Sequence, residues 1–557
     1  MLRVLCLLLP ILIVWGKDVP VVKTSLGTIE GHIAKTVHGK DFYSFKGIPY
    51  AKPPIGDLRF KEAVPVEPWV GTWKANNSYT CLQYTHFPAR PDSKIEGEED
   101  CLYLNVFTPT LNPKANLDVL VYIHGGAFMF GSKNLQGPEI LQGNDIVQVN
   151  MNYRLGPIGF LSTEDEVVPG NNGIKDQILA LKWIKDNIKY FGGNPNSVTI
   201  SGMSAGGASV HVHYLIPQSK GLFHRGISQS GTALNPWVFM EDPLEQAQKL
   251  ATLVGCPTHT NEDLVNCLKT RPGRKILDAV VHFQPFLYNP FSPFGLVVDT
   301  WAKKPLFSDT PYNLIKNKKV HDVPWIVSYT AAEGLYPATE FYQKDEYLEE
   351  IDRNWNDIIP HVLHYNFTVD KHLQDEVSQK IRQTYLGDAA LSKANFLSLV
   401  DIISDRLFKL DIGKTIELQS AAVKSDIYVY KFSYRGTYSV TEERSKSKEN
   451  LGASHADDTC YVFKTYLDTL STEEDRSISN VLVSAFVSFT KTGKPTISNV
   501  DWTPMPKNTS GKLNQLHIIN PDKLVMETVD SIGNKEFWDT LPFEEHEGIG
   551  SNKKDEL

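Results

Sequence analysis

The amino-acid sequence predicts one large α/β domain in which a mostly parallel sheet is covered by helices on both faces. Short apolar runs rich in β-branched residues alternate along the chain with longer segments whose apolar residues recur at helical spacing. This alternation predicts βαβ units, which place parallel strands side by side in one sheet. No repeat, low-complexity tract or Pro/Gly/Ser-rich linker interrupts the 557 residues. We therefore expect a single domain over residues 17–553.

The predicted strands are unbroken apolar runs, a pattern typical of strands that are buried on both faces. Residues 119–123, with the sequence VLVYI, are the clearest example. The other predicted strands are residues 145–149, 197–201, 226–228, 325–329 and 427–430. Residues 176–185 place Ile178, Leu181 and Ile184 at helical spacing, which predicts an amphipathic helix between two of these strands.

The composition is that of a globular protein, with 41% hydrophobic and 22% charged residues. No segment is depleted enough in apolar residues to be typical of a disordered chain. The formal net charge is −9. Nucleic-acid partners are not expected, because phosphate binding needs clustered Lys and Arg side chains.

Both ends of the chain carry predicted targeting signals. Residues 1–16 contain an early cation, Arg3, and then an apolar run, which predicts a secretory signal peptide. The run has about 12 residues, fewer than the ~20 that span a bilayer, so stable membrane insertion is not expected. The last four residues, 554–557, read KDEL, the address that the KDEL receptor recognises. We therefore expect the protein in the lumen of the endoplasmic reticulum.

The cysteines fit this compartment, because an oxidising lumen favours disulfides. One of the six cysteines, Cys6, lies in the signal peptide, and four of the others form two pairs that are close in sequence. We predict the disulfides Cys81–Cys101 and Cys256–Cys267, which leaves Cys460 as a free, buried thiol. In the same compartment three Asn-x-Ser/Thr sequons become glycosylation candidates, namely Asn76, Asn366 and Asn508.

The sequence Gly-Met-Ser-Ala-Gly at residues 202–206 has the Gly-x-Ser-x-Gly pattern of a nucleophile elbow. The pattern alone is a weak signal, but here it directly follows the predicted strand 197–201 and precedes small residues that can begin a helix. A serine on such a turn needs flanking glycines, because the strained backbone leaves no room for neighbouring side chains. Ser204 is therefore the candidate nucleophile, and the amides at the start of the helix favour negative charge there.

A second motif, His-Gly-Gly-Ala-Phe at residues 124–128, follows the predicted strand 119–123. Small residues allow backbone N–H groups to approach a developing oxyanion closely. Gly126 and Ala127, together with the N–H of Ala205, are the candidate donors. Taken alone, the motif is equally consistent with a tight turn at a strand end.

A serine nucleophile needs a general base, and the base needs a carboxylate that orients it. The chain has sixteen histidines and many acids, so chain order alone does not select the pair. Glu333 follows the predicted strand 325–329, at the end of a parallel strand where catalytic groups lie. His455 lies in a loop with Gly and Ser residues, well past the strand 427–430. On these grounds each residue is also consistent with a plain surface position.

Longer stretches of the chain resemble the type-B carboxylesterase and cholinesterase family, and the insect carboxylesterases most of all. The resemblance runs from about residue 21 to about residue 543. The stretches that carry it are FKGIPYA at 45–51, EDCLYLNV at 99–106, FGGNP at 191–195 and QSG at 229–231. The resemblance implies an α/β-hydrolase fold and a serine carboxylic-ester hydrolase that needs no metal or cofactor.

Residue by residue, the resemblance implies that Ser204, Glu333 and His455 form a catalytic triad. It implies the N–H groups of Gly126, Ala127 and Ala205 as the oxyanion hole, and the two predicted disulfides match the family's pattern. Trp237, after Asn-Pro, matches a residue that lines the acyl pocket in relatives, although a plain core role is equally consistent with its sequence.

The chain departs from the cholinesterases at two places. Met203 stands before the nucleophile where cholinesterases have Glu, and the segment 81–101 contains no Trp that could bind choline by a cation–π contact. Juvenile hormone esterases typically carry Gln at the Met203 position. The third glycine of the oxyanion loop is replaced by Ala127, which keeps its N–H but adds a methyl group.

The expected function is hydrolysis of neutral, lipophilic small-molecule esters through an acyl-enzyme on Ser204. The resemblance implies a role in xenobiotic detoxification, with organophosphates phosphorylating the same serine. A hormone or odorant esterase is the alternative within the enzyme class. Such enzymes usually act outside the cell, so the KDEL sequence, which predicts retention, argues against it. A non-catalytic binding module of the same fold is the alternative outside that class, and the intact triad argues against it.

Overall fold

A computed structural model describes residues 19–87, 93–498, 500–507 and 511–543. The predicted signal peptide at 1–16, the KDEL sequence at 554–557 and the sequon at Asn508 lie outside these residues and stay predictions. Across the described ranges, no helix is both long enough and apolar enough to cross a bilayer.

The strands form one large sheet and two small ones. In chain order they are β1 (Val21–Lys23), β2 (Thr28–Glu30), β3 (His32–Lys35), β4 (Asp41–Pro49), β5 (Thr72–Lys74), β6 (Gln83–Tyr84), β7 (Ile95–Glu96), β8 (Tyr103–Thr108), β9 (Leu117–Ile123), β10 (Val147–Met151), β11 (Gly193–Met203), β12 (Arg225–Gln229), β13 (Trp325–Thr330), β14 (Ile427–Phe432), β15 (Leu513–Asn520) and β16 (Lys523–Val529).

The large sheet has eleven strands in the order β16-β15-β14-β13-β12-β11-β9-β10-β8-β4-β3. The central run from β15 to β10 is parallel throughout. Antiparallel strands close both edges, β16 on one side and β8, β4 and β3 on the other. The predicted fold class is confirmed, and the antiparallel edges are a feature that the sequence analysis did not predict.

The helices fill the connections between strands. In chain order they are α1 (Gly156–Phe160), α2 (Asn172–Asn187), α3 (Ala205–Leu215), α4 (Pro243–Leu253), α5 (Asn261–Thr270), α6 (Gly273–Asp278), α7 (Pro311–Lys316), α8 (Leu335–Phe341), α9 (Asp345–Arg353), α10 (Trp355–Val362), α11 (Lys371–Tyr385), α12 (Phe396–Ser404), α13 (Leu410–Ala422), α14 (Val440–Ser445), α15 (Thr459–Val462), α16 (Glu473–Thr492) and α17 (Lys535–Trp538). The predicted helix at 176–185 lies within α2.

Strand β9 shows why the central strands are unbroken apolar runs. Val119, Val121 and Ile123 pack in the hydrophobic core on one face of the sheet. Leu120 and Tyr122, which alternate with them, pack in a second core on the opposite face. Because successive side chains of a strand point to opposite faces, a sheet covered on both sides requires apolar residues at every position.

Both predicted disulfides, Cys81–Cys101 and Cys256–Cys267, are present. Cys460 is free and buried, as predicted. Burial raises the pKa of the Cys460 thiol to about 12. The thiol therefore stays protonated at neutral pH, and a protonated thiol is a poor nucleophile.

One buried ion pair connects the end of β10 to helix α2. The guanidinium of Arg154, which is 1% exposed, donates to both carboxylate oxygens of Asp176, which is fully buried, at 2.7 and 2.8 Å. The backbone N–H of Arg154 also donates to Asp176 at 3.1 Å. A third guanidinium nitrogen donates to the carbonyl of Lys61 at 2.7 Å. The pair thus ties three separate segments together.

Replacing Asp176 with Asn is expected to lower the free energy of unfolding by about 3–5 kcal/mol, because it leaves the buried Arg154 charge without a counter-charge. Chemical denaturation of the purified protein measures this loss. The control is Asp539→Asn, which removes one member of an exposed ion pair with Lys535 and is expected to change the free energy by about 0–1 kcal/mol. Equal losses in the two variants would contradict the structural role of the buried pair.

Candidate active site

Ser204 lies at the sharp turn between β11 and α3, where the sequence predicts a nucleophile elbow. Its backbone has φ 59° and ψ −125°, a left-handed conformation that L-residues rarely adopt. The turn is held by a hydrogen bond from the Ser204 N–H to the carbonyl of Gln229 at 2.8 Å. Backbone strain of this kind persists only where the surrounding structure enforces it, and it is common at active sites.

The two glycines of the motif are required by close packing around this turn. A Cβ atom on Gly202 would lie within 3.0 Å of the Gly206 backbone, and one on Gly206 would lie within 3.0 Å of the Ile123 carbonyl oxygen. Real Cβ atoms essentially never approach backbone atoms so closely. The Gly-x-Ser-x-Gly pattern is therefore a consequence of helix α3 beginning directly against strand β9.

The glycine-containing loop at 124–128 lies next to the serine. A Cβ atom on Gly125 would approach the Cβ of Ser204 to 3.0 Å. Gly126 and Ala127 both have positive φ, at 108° and 54°. Within the described residues, the N–H groups of Gly126, Ala127 and Ala205 donate no hydrogen bond. The structure thus brings three free backbone donors to the region of Ser204, as an oxyanion hole requires.

His124 anchors this loop, a role that the sequence analysis did not assign to it. Its Nδ1 lies 2.8 Å from the carbonyl of Gly125. Its ring stacks on Tyr153 at 4.4 Å, and the Tyr153 hydroxyl donates to the His124 carbonyl at 2.8 Å. Burial lowers the pKa of His124 to about 4, so the imidazole is neutral at physiological pH. The position of this histidine directly before the glycine pair is the signal that could have identified it.

Glu333 and His455 are adjacent in the structure, although 122 residues separate them in sequence. The Nδ1 of His455 lies 2.6 Å from Oε2 of Glu333, and Oε1 of Glu333 accepts a hydrogen bond from the N–H of Thr330 at 2.7 Å. Both side chains are buried. The Nε2 atom of His455 is also buried and has no hydrogen-bond partner within the described residues. This nitrogen is therefore free to accept a proton.

The sheet explains why Ser204, Glu333 and His455 lie at the same edge. Strands β11, β12 and β13 are parallel neighbours, so Ser204 and Glu333 follow strands that end at the same edge. The loop that carries His455 pairs with the end of β13, where the N–H of Ala332 donates to the carbonyl of Ala453 at 3.0 Å. The carboxyl edge of the sheet thus carries Ser204 and the Glu333–His455 pair, although no hydrogen bond joins His455 Nε2 to Ser204.

Two buried carboxylates directly after His455 hold its loop in place. Asp457 accepts hydrogen bonds from the N–H of Ser454 and the hydroxyl of Ser439, each at 2.8 Å. Asp458 accepts from the Tyr430 hydroxyl at 2.8 Å and the Gln229 amide at 2.9 Å. Burial raises the pKa of both carboxyls, that of Asp457 to about 6. No motif distinguished these two residues from other acids in the sequence.

Aromatic side chains enclose the imidazole of His455. Tyr336 stacks on it at 5.4 Å between ring centroids, and Phe408 lies at 4.7 Å. Trp237 packs between Phe408, at 6.0 Å, and Phe128 of the glycine-containing loop, at 6.3 Å. The Trp237 indole donates to the carbonyl of Leu407 at 2.8 Å. Trp237 therefore contributes both to the core and to the wall near the candidate site.

Met203, the residue before the candidate nucleophile Ser204, is partly exposed. A cavity of about 260 Å³ adjoins Trp237 and is lined mainly by aromatic, proline and imidazole side chains. None of Ser204, Glu333 and His455 lines this cavity. It is therefore separate from the space in which the candidate triad lies.

Comparison with known proteins identifies the family of this chain. The model of the carboxylesterase family matches residues 18–534. Venom carboxylesterase-6 of Apis mellifera is 41% identical over 533 residues, which are 95% of this chain and 96% of the relative. Esterase FE4 of Myzus persicae is 41% identical over 504 residues, 88% of each chain.

A solved structure extends the comparison to the fold. The crystal structure of juvenile hormone esterase from Manduca sexta, with OTFP covalently attached, superposes with a TM-score of 0.81 at 28% identity. The match covers 95% of this chain and 99% of that one. With a family match over nearly its whole length and insect esterases as relatives, this chain belongs to the carboxylesterase family and is a carboxylic-ester hydrolase of the insect type.

Proposed function

We propose that this carboxylesterase acts through an acyl-enzyme on Ser204, with His455 as general base and Glu333 as the carboxylate that orients it. The observation that carries the proposal is the 2.6 Å contact between His455 Nδ1 and Glu333. It fixes the imidazole so that Nδ1 carries the proton and Nε2 presents its lone pair. Nε2 has no hydrogen-bond partner within the described residues, Ser204 included.

In the first half of the reaction, Ser204 Oγ forms a bond to the ester carbonyl carbon while its proton passes to Nε2 of His455. The carbonyl electron pair moves onto oxygen, where the amides of Gly126, Ala127 and Ala205 stabilise the negative charge. The bond to the alcohol oxygen then breaks, and the alcohol leaves with the proton from Nε2.

In the second half, water attacks the acyl carbon and gives a proton to the same nitrogen. The bond to Ser204 breaks, Oγ recovers the proton from His455, and the carboxylic acid is released. Glu333 stays ionised throughout and stabilises the imidazolium that forms in each half. Its burial beside His455 strengthens this interaction, because charges attract more strongly in a medium of low dielectric constant.

The substrates that we propose are neutral, lipophilic esters. Phe128, Trp237 and Phe408 supply an aromatic wall next to the catalytic imidazole, and Met203 is an apolar neighbour of the nucleophile. Burying apolar surface contributes about 25 cal/mol per Å², so such a wall favours apolar acyl groups. A hormone esterase is the second candidate, because juvenile hormone esterase of Manduca sexta shares the fold. Met203, in place of Gln, argues against it.

We further propose a role in detoxification, with organophosphates phosphorylating Ser204. A phosphorus ester presents the same kind of electrophile to an activated serine as a carboxylic ester does. The Manduca sexta enzyme with OTFP covalently attached supports covalent capture within this family. Relatives with general carboxylesterase names, such as that of Apis mellifera, support a broad rather than a hormone-specific substrate range.

Residence in the lumen of the endoplasmic reticulum is also a proposal, supported by the KDEL sequence at 554–557 and the KDEL receptor that reads it. The two disulfides are consistent with an oxidising compartment. Of the sequons within the described residues, Asn76 is exposed and Asn366 is partly exposed, so both are proposed glycosylation sites.

Replacing Ser204 with Ala is expected to lower the turnover of 1-naphthyl acetate by about 10⁴–10⁶-fold, because the nucleophile is removed. Ser209→Ala is the matched control, since Ser209 lies one turn further along α3 and donates to the Ala205 carbonyl at 2.8 Å. The Ser209 hydroxyl also accepts from the Gln177 amide at 3.1 Å, so the control loses two hydrogen bonds of about 1 kcal/mol each in stability, and its turnover should stay within about tenfold of the unmodified enzyme because no proposed catalytic group is removed. Unchanged turnover in Ser204→Ala would refute the assignment.

Incubation with a dialkyl 4-nitrophenyl phosphate is expected to release one nitrophenolate per active site and to stop ester turnover. Tryptic mass spectrometry should then find the dialkyl phosphoryl group on the peptide that contains Ser204. The Ser204→Ala variant should show neither the burst nor the adduct. An adduct on a different serine, with turnover lost, would disprove the proposed reaction with organophosphates.

Deleting residues 554–557 is expected to move the protein from the cells into the medium, because the retrieval receptor no longer binds it. The control deletes 550–553 and keeps the last four residues. Immunoblotting of cells and medium, with digestion of N-linked glycans, measures both retention and exit from the endoplasmic reticulum. Retention of the shortened chain inside cells would contradict the proposed address.

A further inference from the structure

A second group of polar side chains surrounds Tyr336, the ring that stacks on His455. The Nδ1 of His86 lies 3.0 Å from the Tyr336 hydroxyl. The guanidinium carbon of Arg444 lies 5.3 Å from the centroid of the Tyr336 ring and 4.2 Å from that of Phe87. The reaction proposed above uses neither His86 nor Arg444. Their position one ring away from the catalytic imidazole therefore needs a separate explanation.

Both side chains present buried polar atoms that lack partners. His86 is 5% exposed, and its Nε2 is buried with no hydrogen bond to any described residue. Nη1 of Arg444 is likewise buried and has no hydrogen bond to any described residue. In the described part of the chain, no carboxylate forms an ion pair with Arg444. Native proteins pair most buried polar groups, so these two atoms beside one ring are positions that a water molecule or a polar ligand group can fill.

The charges near this ring favour an anion over a cation. Arg444 is always protonated, and Lys94 lies near enough to influence His86. Burial and these two cations hold the pKa of His86 well below its usual range, so its imidazole stays neutral. The opposing group is Glu340 in α8, and burial raises the pKa of its carboxyl. Glu340 Oε2 is also buried without a hydrogen-bond partner, so the preference for an anion rests on the guanidinium of Arg444, which has no ion-pair partner among the described residues.

The chemistry of the reaction assigns a substrate part to this location. His455 returns a proton to the departing alcohol oxygen, so the alcohol part must lie beside the imidazole. Tyr336 stacks on that imidazole, and His86 and Arg444 flank Tyr336. Phe408, the other aromatic neighbour of the imidazole, continues through Trp237 to Phe128 of the amide loop, and we assign the acyl group to that wall.

We propose that Arg444 and His86 form a recognition subsite for a carboxylate or carbonyl oxygen on the alcohol part of the ester. This inference rests on the proposed function and refines its substrate class. The acyl part is lipophilic, whereas the alcohol part is favoured when it carries a negative or hydrogen-bond-accepting group. A guanidinium donates to such oxygens with charge-assisted hydrogen bonds, and cationic alcohol parts are disfavoured.

Three aryl acetates that differ only at the para position test the subsite: 4-acetoxybenzoate, the neutral 4-methylphenyl acetate, whose para group accepts no hydrogen bond, and 4-acetoxyphenyl-trimethylammonium. The ratio of kcat/KM for the anionic ester to that for the neutral ester is compared between variants, which cancels intrinsic reactivity. Arg444→Gln is expected to lower this ratio by about 10–100-fold, mainly through a higher KM, because a charge-assisted hydrogen bond is lost. The kcat/KM of the cationic ester, relative to that of the neutral ester, should rise in Arg444→Gln.

Arg444→Lys is expected to recover part of the ratio, because lysine keeps the charge but not the planar fork. His86→Phe retains a ring that can stack on Tyr288, which contacts His86 at 4.5 Å, and should lower the ratio about three- to tenfold. The His86→Phe variant also tests the subsite if the Arg444→Gln protein does not fold. Arg353→Gln, on the exposed end of α9, is the control and should leave the ratio unchanged.

Two outcomes overturn the inference: an unchanged ratio in Arg444→Gln and His86→Phe, or an equal loss for the anionic and neutral esters. The same assays with Ser204→Ala separate this failure from failure of the proposed function. Suppose that Ser204→Ala abolishes hydrolysis of all three esters, and that the ratios of Arg444→Gln and His86→Phe equal that of the unmodified enzyme. Only the subsite is then wrong. If Ser204→Ala still hydrolyses them, the proposed mechanism itself is wrong.

Discussion

The packing of helix α3 against strand β9 is the constraint on which the rest of the site depends. Gly206 approaches the carbonyl oxygen of Ile123 so closely that no side chain fits between them. This contact forces the chain to turn within one residue, so that Ser204 takes a positive φ. The same contact brings the start of α3 next to the loop at 124–128. The candidate nucleophile, a helix N-terminus and a set of free amides therefore lie together because of one steric requirement.

The second half of the site depends on buried polar groups rather than on steric contact. Glu333 and Asp458 are both fully buried, and each has its carboxylate hydrogen-bonded. Leaving such groups unpaired would cost about 1–3 kcal/mol each, or more when they are charged. The loop that carries His455 is thus fixed by the need to satisfy these groups, and the imidazole is held against Glu333 as a result.

The parts of the fold that the sequence predicts best are those governed by burial on both faces. Strand β9 and its parallel neighbours read as unbroken apolar runs because two separate cores cover them. The edge strand β16 alternates between exposed and partly buried residues and pairs with β15 in an antiparallel hairpin, so no apolar run marks it. The predicted strand 145–149 also begins two residues too early, because β10 starts at Val147.

Within the site, local patterns located Ser204 and the amide loop, because both depend on residues that are adjacent in sequence. The pair of Glu333 and His455 is formed by a long-range contact, and only the family resemblance selected these two among many acids and histidines. Arg444 and His86 carried no motif at all, since their shared neighbour is the Tyr336 ring rather than any nearby residue. Contacts between distant segments are what single-sequence reasoning cannot supply.

The Cys81–Cys101 bridge has a consequence for how this enzyme can change over time. His86 lies inside the loop that the bridge closes, whereas Arg444 lies in α14 and Tyr336 in α8. None of the three belongs to a strand of the large sheet. Substitutions of His86 and Arg444, the proposed subsite, therefore lie away from the packing of α3 against β9, whereas Tyr336 also contacts the imidazole of His455. Under this proposal, selection by new compounds can change the preferred alcohol part through His86 and Arg444 while the turn that carries Ser204 stays the same.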